Sequence, residues 1–179
     1  MSKTRTSKGQ SLVELPAGML LLLVAFAFPL MALASFSYRA SLLYFATRDT
    51  CAKAAKAQSF TLANTAASAS WSNDLGAWTG MTGTESLLVV ACPTPTGLAA
   101  GKTQQTFSTP AAVNTFMTAT GYNSNNYIYL MNLTAQTSLN PLLPVGSSWM
   151  GFSIPGLNAP YSLTSGYQTY IENPTGMKN

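Results

Sequence analysis

The groups able to do chemistry in this chain are few: the carboxylates Glu14, Asp49, Asp74, Glu85 and Glu172, two cysteines, and no histidine at all. Without imidazole there is no Ser–His–Asp relay and no His-ligated zinc site. Five scattered carboxylates leave very little for paired acid–base work. The residues point away from an enzyme, and they imply no cofactor and no metal.

One carboxylate stands where its cost needs a reason. Glu14 sits at the mouth of an uncharged run, residues 15–38, that ends at Arg39. An ionised carboxylate at the edge of hydrocarbon is costly unless paired. The pairing that fits requires a cut after Gly9 in the string SKGQSLVEL, which makes Gln10 a new N-terminus with its ammonium four residues before Glu14. In staggered helices packed side by side, the Glu14 of one copy meets the amine of its neighbour. Each group then neutralises the other, and the contact sets the register between copies.

The element that positions Glu14 is a long helix. About 20 apolar residues cross a bilayer core, so the run is long enough to span over about residues 15–38. Pro29 within it should kink the helix or loosen one turn, whereas Pro16 lies near the start, where a missing donor costs less. Strong helix formers continue past Arg39, with no Gly or Pro until Gly76. One helix over about 10–70 follows, apolar first and amphipathic later, with Leu42, Leu43, Phe45 and Ala46 as its packing face. Two other readings of the run stay open: a plain anchor, and a secretory signal cut after Ala34 in Ala32-Leu33-Ala34.

The net charge of +4 comes from the flanks of this run: Lys3, Arg5 and Lys8 before it, then Arg39, Arg48, Lys53 and Lys56. Counting positive charges on the two sides gives a tie for orientation. Beyond residue 56 only Lys102 and Lys178 face Asp74, Glu85 and Glu172, a net of −1, so no basic surface for nucleic acid exists there. Ser, Thr and Asn make up 42 of those 123 residues, a composition that suits an extracytoplasmic β-rich domain. Residues 71–85 read as loop. Strands are expected over 86–92, 102–108, 126–134, 148–154 and 161–171, with a short helix over 111–118 begun by Pro110. In the last strand Tyr161, Leu163, Tyr167 and Ile171 share one face. The fold class is therefore α+β: a long N-terminal helix packed against a C-terminal antiparallel sheet. If Cys51 and Cys92 both lie outside the cytoplasm, a bridge between them would staple helix to sheet; the alternative is two buried thiols that never meet.

The basic leader MSKTRTSKG, the Glu at the fifth position after it and the leucine-rich run of GQSLVELP resemble a class III signal of the type IV pilin superfamily. They look most like the TadE-like minor pseudopilins of Tad (tight adherence) pili. Gln10 stands where type IV pilins usually begin with Phe, and the chain is longer than the major Tad pilins, which favours a minor subunit. The resemblance covers about residues 1–60. It implies a pilin-like fold, with a leader over 1–9, the helix over 10–70 and an extracytoplasmic domain over 71–179. It also implies processing by a prepilin peptidase between Gly9 and Gln10, a place in the bacterial inner membrane and then at the cell surface, and partnership with major and minor pilin subunits in priming or assembling an adhesive filament.

Overall fold

The structure, a computed structural model, describes residues 10–77, 81–120, 125–140 and 159–178. Its helical path begins with α1 (Gln10–Leu22), passes through a π-helical segment (Leu23–Ala27) and continues as α2 (Phe28–Ala55) without a gap. The π segment has a local cause. Pro29 lies in the first turn of α2; it offers no N–H, and its ring crowds the carbonyl four residues back. Widening the preceding turn relieves both problems, as the sequence leads one to expect.

The expected single helix does not run on to residue 70. It ends at Ala55, and a second helix, α3 (Phe60–Gly76), folds back along α2. Ser59 caps α3 by accepting from the Leu62 N–H at 3.3 Å. Across the break, the Ala55 carbonyl accepts from the Glu172 N–H at 3.1 Å. The helix thus exchanges a terminal carbonyl bond for one made by a distant segment. Residues 71–76, expected as loop, belong to α3.

The strands are β1 (Met81–Pro93), β2 (Gln105–Phe107), β3 (Tyr127–Leu139) and β4 (Tyr161–Tyr170), in the order β2-β1-β3-β4 and antiparallel throughout. β1 and β3 are longer than expected because they pair over all thirteen residues of each. The strand expected at 148–154 lies outside the described residues. Between strands stand α4 (Pro95–Ala99), capped by Thr94, and α5 (Pro110–Thr120). Pro110 opens α5, and Thr109 Oγ1 accepts from the Ala112 N–H at 3.3 Å. A 3-10 turn (Pro174–Lys178) closes the chain against the α2–α3 connection: a Cβ on Gly176 would stand 1.9 Å from the Gln58 carbonyl oxygen.

The core lies on one face of the sheet. Leu43, Ala46, Thr47, Thr50, Cys51 and Ala54 of α2 are buried, a stripe at the three-and-four spacing of one helix face. They meet the alternate residues Met131, Leu133, Ala135 and Leu139 of β3 and Leu163 and Tyr167 of β4. Phe45 departs from its expected place and is 59% exposed, because it falls between successive buried positions of that stripe.

Leu133 is fully buried at the centre of the larger apolar cluster. Leu133→Ala is expected to cost about 2–5 kcal/mol, measured by denaturant unfolding of the chain in detergent. A loss below about 1 kcal/mol would mean that this site is not core.

Candidate functional site: an unpacked apolar rod

Met19, Leu20, Leu21, Leu22 and Leu23 are consecutive, and each is between 58% and 70% exposed. Five adjacent helical residues point around the full circumference, so the rod is apolar on every side rather than along one stripe. Leu30, Met31 and Leu33 continue it. A helix that is hydrophobic all round normally lies in a protein core or a bilayer. Where the path meets the sheet, the ring of Phe36 packs edge-on against Tyr161 at 5.4 Å. Arg39 then donates to the Asn140 carbonyl at 2.5 Å. The rod therefore leaves the domain at the end of the sheet where β3 finishes and β4 begins. Among the described residues no helix is by itself long and apolar enough to cross a membrane; the π segment divides the path into α1 and α2.

Of the residues expected to act in processing and assembly, Gly9 lies outside the described residues. Gln10 and Glu14 are described only as helical backbone of α1, and their side chains lie outside. Their spacing of four residues puts them one turn apart on one helix face.

The expected bridge between Cys51 and Cys92 is absent: both are free thiols. Strand alternation supplies the reason. Leu87, Val89 and Ala91 face the helices, in the same cluster as Cys51, so Cys92, one residue on, faces the opposite side of the sheet. The Cys51 Sγ lies 3.4 Å from the Met131 carbonyl oxygen and 3.5 Å from that of Tyr167. Burial pushes this thiol up to about 11.

A polar clasp joins α2 to α3. Lys53 pairs with Asp49 one turn earlier and donates to Ser70 Oγ at 3.1 Å, while Ser70 Oγ stands 3.4 Å from the Asp49 carboxylate. The hydrogen bond that Lys53 donates to Asp49 holds its ammonium above its ordinary value. Burial raises the nearby Asp74 carboxyl, with Lys53 opposing and Asp49 adding to the rise. On the other side of α3, Ser68 donates to Glu85 at 2.7 Å. These groups fasten the helical hairpin; among the described residues no three carboxylates or thiols converge. The i, i+4 spacing of Asp49 and Lys53 is readable in sequence, but its partner Ser70 depends on the hairpin, which is not.

Comparisons with protein-family models, with curated proteins and with solved structures give no match.

Two predictions follow from these environments. A thiol reagent at pH 8 should label Cys92 in the native chain and spare Cys51, which combines burial with about a hundredfold less thiolate than an ordinary thiol; unfolding should expose both. Equal native labelling would place Cys51 outside the core. The second concerns Asp74. A carboxyl raised by folding contributes most stability below its unfolded value, and that stability is lost as pH rises through its folded value. Asp74→Asn should therefore be at least as stable as wild type at pH 7, with a gain of no more than about 0.5 kcal/mol for a half-buried group screened by solvent, and equal to it near pH 3. A clear loss at pH 7 would show that the charge is needed.

Proposed function

We propose that this chain is a minor pilin-like subunit, a pseudopilin of a Tad-like type IV pilus, cut after Gly9 by a prepilin peptidase. In this reading it is a structural protein and not an enzyme. The observation that carries it is the rod, exposed and apolar on all sides over Met19–Leu23. Such a surface needs hydrocarbon or other rods around it. Residues 16–35 of the helical path span about 30 Å at 1.5 Å per residue, the thickness of a bilayer core. The π turn ahead of Pro29 keeps that path helical, so the three consecutive elements can serve as one span. In the inner membrane Glu14 of one copy pairs with the Gln10 ammonium of an adjacent pilin subunit. The sheet domain stands outside, and Arg39, Tyr38 and Tyr161 lie at the boundary, where cationic and aromatic side chains suit the headgroup layer. Extraction into a filament keeps the rods together and carries the domain to the surface.

A secreted reading has one observation in its favour. Contact with the sheet begins at Phe36, so a cut after Ala34 would release the domain with its core complete.

N-terminal sequencing of the protein, made in a cell that carries a prepilin peptidase, separates the readings. Gln10 at the start is expected; Ser35 would establish secretion, and Met1 a plain anchor. Glu14→Ala should leave processing and membrane insertion intact while lowering filament incorporation at least severalfold. Wild-type incorporation by that variant would remove the charge-pairing mechanism.

A further inference from the structure

α2 carries a second stripe that the core does not use. Phe45 is 59% exposed, Tyr38 66% and Met31 58%. These three follow one another at seven-residue intervals, and Ala52, half-buried, continues the series. Three residues after each of the first three stand Ala34, Ser41 and Arg48, all exposed. Alternating steps of three and four residues keep such a series on one side of a helix. At 3.6 residues per turn that side is opposite the buried stripe of Leu43, Thr47, Thr50 and Ala54. α2 therefore shows one face to the sheet and a second, differently built face away from it.

A single exposed apolar residue is ordinary; a series at this spacing is not. Its period is the one that lets two helices wind about each other with side chains of one seated between those of the other. Large members (Met31, Tyr38, Phe45) alternate with small ones (Ala34, Ser41). Small residues let two backbones approach, and each large side chain then has room beside a small residue of the facing helix. Phe45 shows why lipid alone does not account for the stripe. With Tyr38 and Arg39 at the headgroup boundary, Phe45 stands about 10 Å further out along the helix, clear of hydrocarbon. Its ring meets Tyr44 edge-on at 6.0 Å and still keeps most of its surface open.

The charges select the partner. In a parallel, level pair of helices, the position of Arg48 packs beside the following position of the facing helix, which in a second copy is Asp49. The Asp49 side chain is 51% exposed and already pairs with Lys53 of its own chain. A carboxylate has acceptor sites enough to take a second cation. Ala52, one turn further on, leaves space for both Arg48 guanidinium groups to turn outward to the two carboxylates. Rods held in one membrane point the same way, as a parallel pair requires. The sheets lie behind the two helices, on opposite sides of the contact.

We propose that two copies of this chain pair in parallel along this stripe, level with each other, with Tyr38, Ser41 and Phe45 in the seam and Arg48 of each copy bound to Asp49 of the other. The proposal rests on the reading that the rods share one membrane. The contact is two-fold and closed: each copy offers the same surface, and a third copy finds no place in it.

The test uses full-length chains recovered from membranes, with Cys92→Ser throughout so that buried Cys51 is the one native thiol. Helix axes about 8–10 Å apart, with Cα atoms at a radius of about 2.3 Å, leave facing Cα atoms about 4–5 Å apart, within disulfide reach. Under mild oxidant, Ser41→Cys should give a symmetric dimer at least tenfold more abundant than Gln168→Cys, an exposed control on the face of the sheet turned from the helices. Adding Phe45→Asp to the Ser41→Cys chain should lower that dimer at least tenfold and leave the circular dichroism unchanged, because Phe45 is outside the core. Arg48→Glu should lower it severalfold by setting like charges together. In a pair staggered by one turn, Ser41 of one copy would be level with Phe45 of the next. Cross-links found only in mixtures of Ser41→Cys and Phe45→Cys chains would therefore overturn the level pairing. A Ser41→Cys cross-link to a different protein in place of the dimer would overturn it too. Absence of any dimer in chains that begin at Gln10 would remove the pairing while leaving the pilin-like reading in place. Symmetric dimers from chains that still begin at Met1 would uphold the pairing and remove that reading.

Discussion

One helical path has to satisfy two surroundings, and everything else in the molecule is arranged around the point where it changes. Over Met19–Leu23 the path is apolar on every side; from Leu43 it is apolar along a single stripe. The transition is made by a few contacts in two turns: Phe36 against Tyr161, and Arg39 to the Asn140 carbonyl. Both reach the same end of the sheet. The rod is thereby fixed in direction relative to β3 and β4. A hinge there would let the domain swing; two contacts three residues apart on one face of the helix resist it.

Below that junction α2 is held by small residues and methyl-bearing hydroxyls as much as by large side chains. Thr47 returns its hydroxyl proton to the Leu43 carbonyl at 2.7 Å, which lets a polar residue lie fully buried at little cost. Thr50 and Thr137 are buried nearby and their hydroxyls make no hydrogen bond among the described residues. These residues separate the cluster around Leu43 and Trp71 from the larger one around Met131 and Leu133. Alanines at 54, 63 and 67 let α3 lie close to α2, and the exposed Lys53–Asp49 pair, held to buried Ser70, adds little stability of its own.

What could be read from the sequence was whatever local rules decide. Pro29 announced a disturbed turn, Pro110 the start of α5, and alternation in 161–171 the face of β4 that meets α2. The features that could not be read depend on distant partners. Nothing local ends the helix at Ala55, where Ala-Lys-Ala-Gln is good helix sequence; the termination is supplied by the Glu172 N–H and by the backbone of Gly176 against Gln58. β1 reaches back to Met81 because β3 offers partners as far as Leu139, although Gly83 within that stretch is a weak strand former taken alone. Glu14 and Gln10 are legible as a spacing of four residues, one turn of α1.

The cysteines show how one residue of parity outweighs compartment and composition. An oxidising environment permits a bridge, yet Cys51 looks onto the helix-facing side of the sheet while Cys92 sits one position past Ala91, on the other side. A bridge would demand that β1 slip by one residue, which would turn Leu87, Val89 and Ala91 out of the core together. Burial of those three side chains is worth several kcal/mol, comparable to what a bridge closing this loop would contribute. The slip would also move every one of the thirteen β1–β3 pairs at once, so the ladder sides with the core. The domain is therefore held by packing and main-chain pairing, and its thiols are passengers on opposite faces.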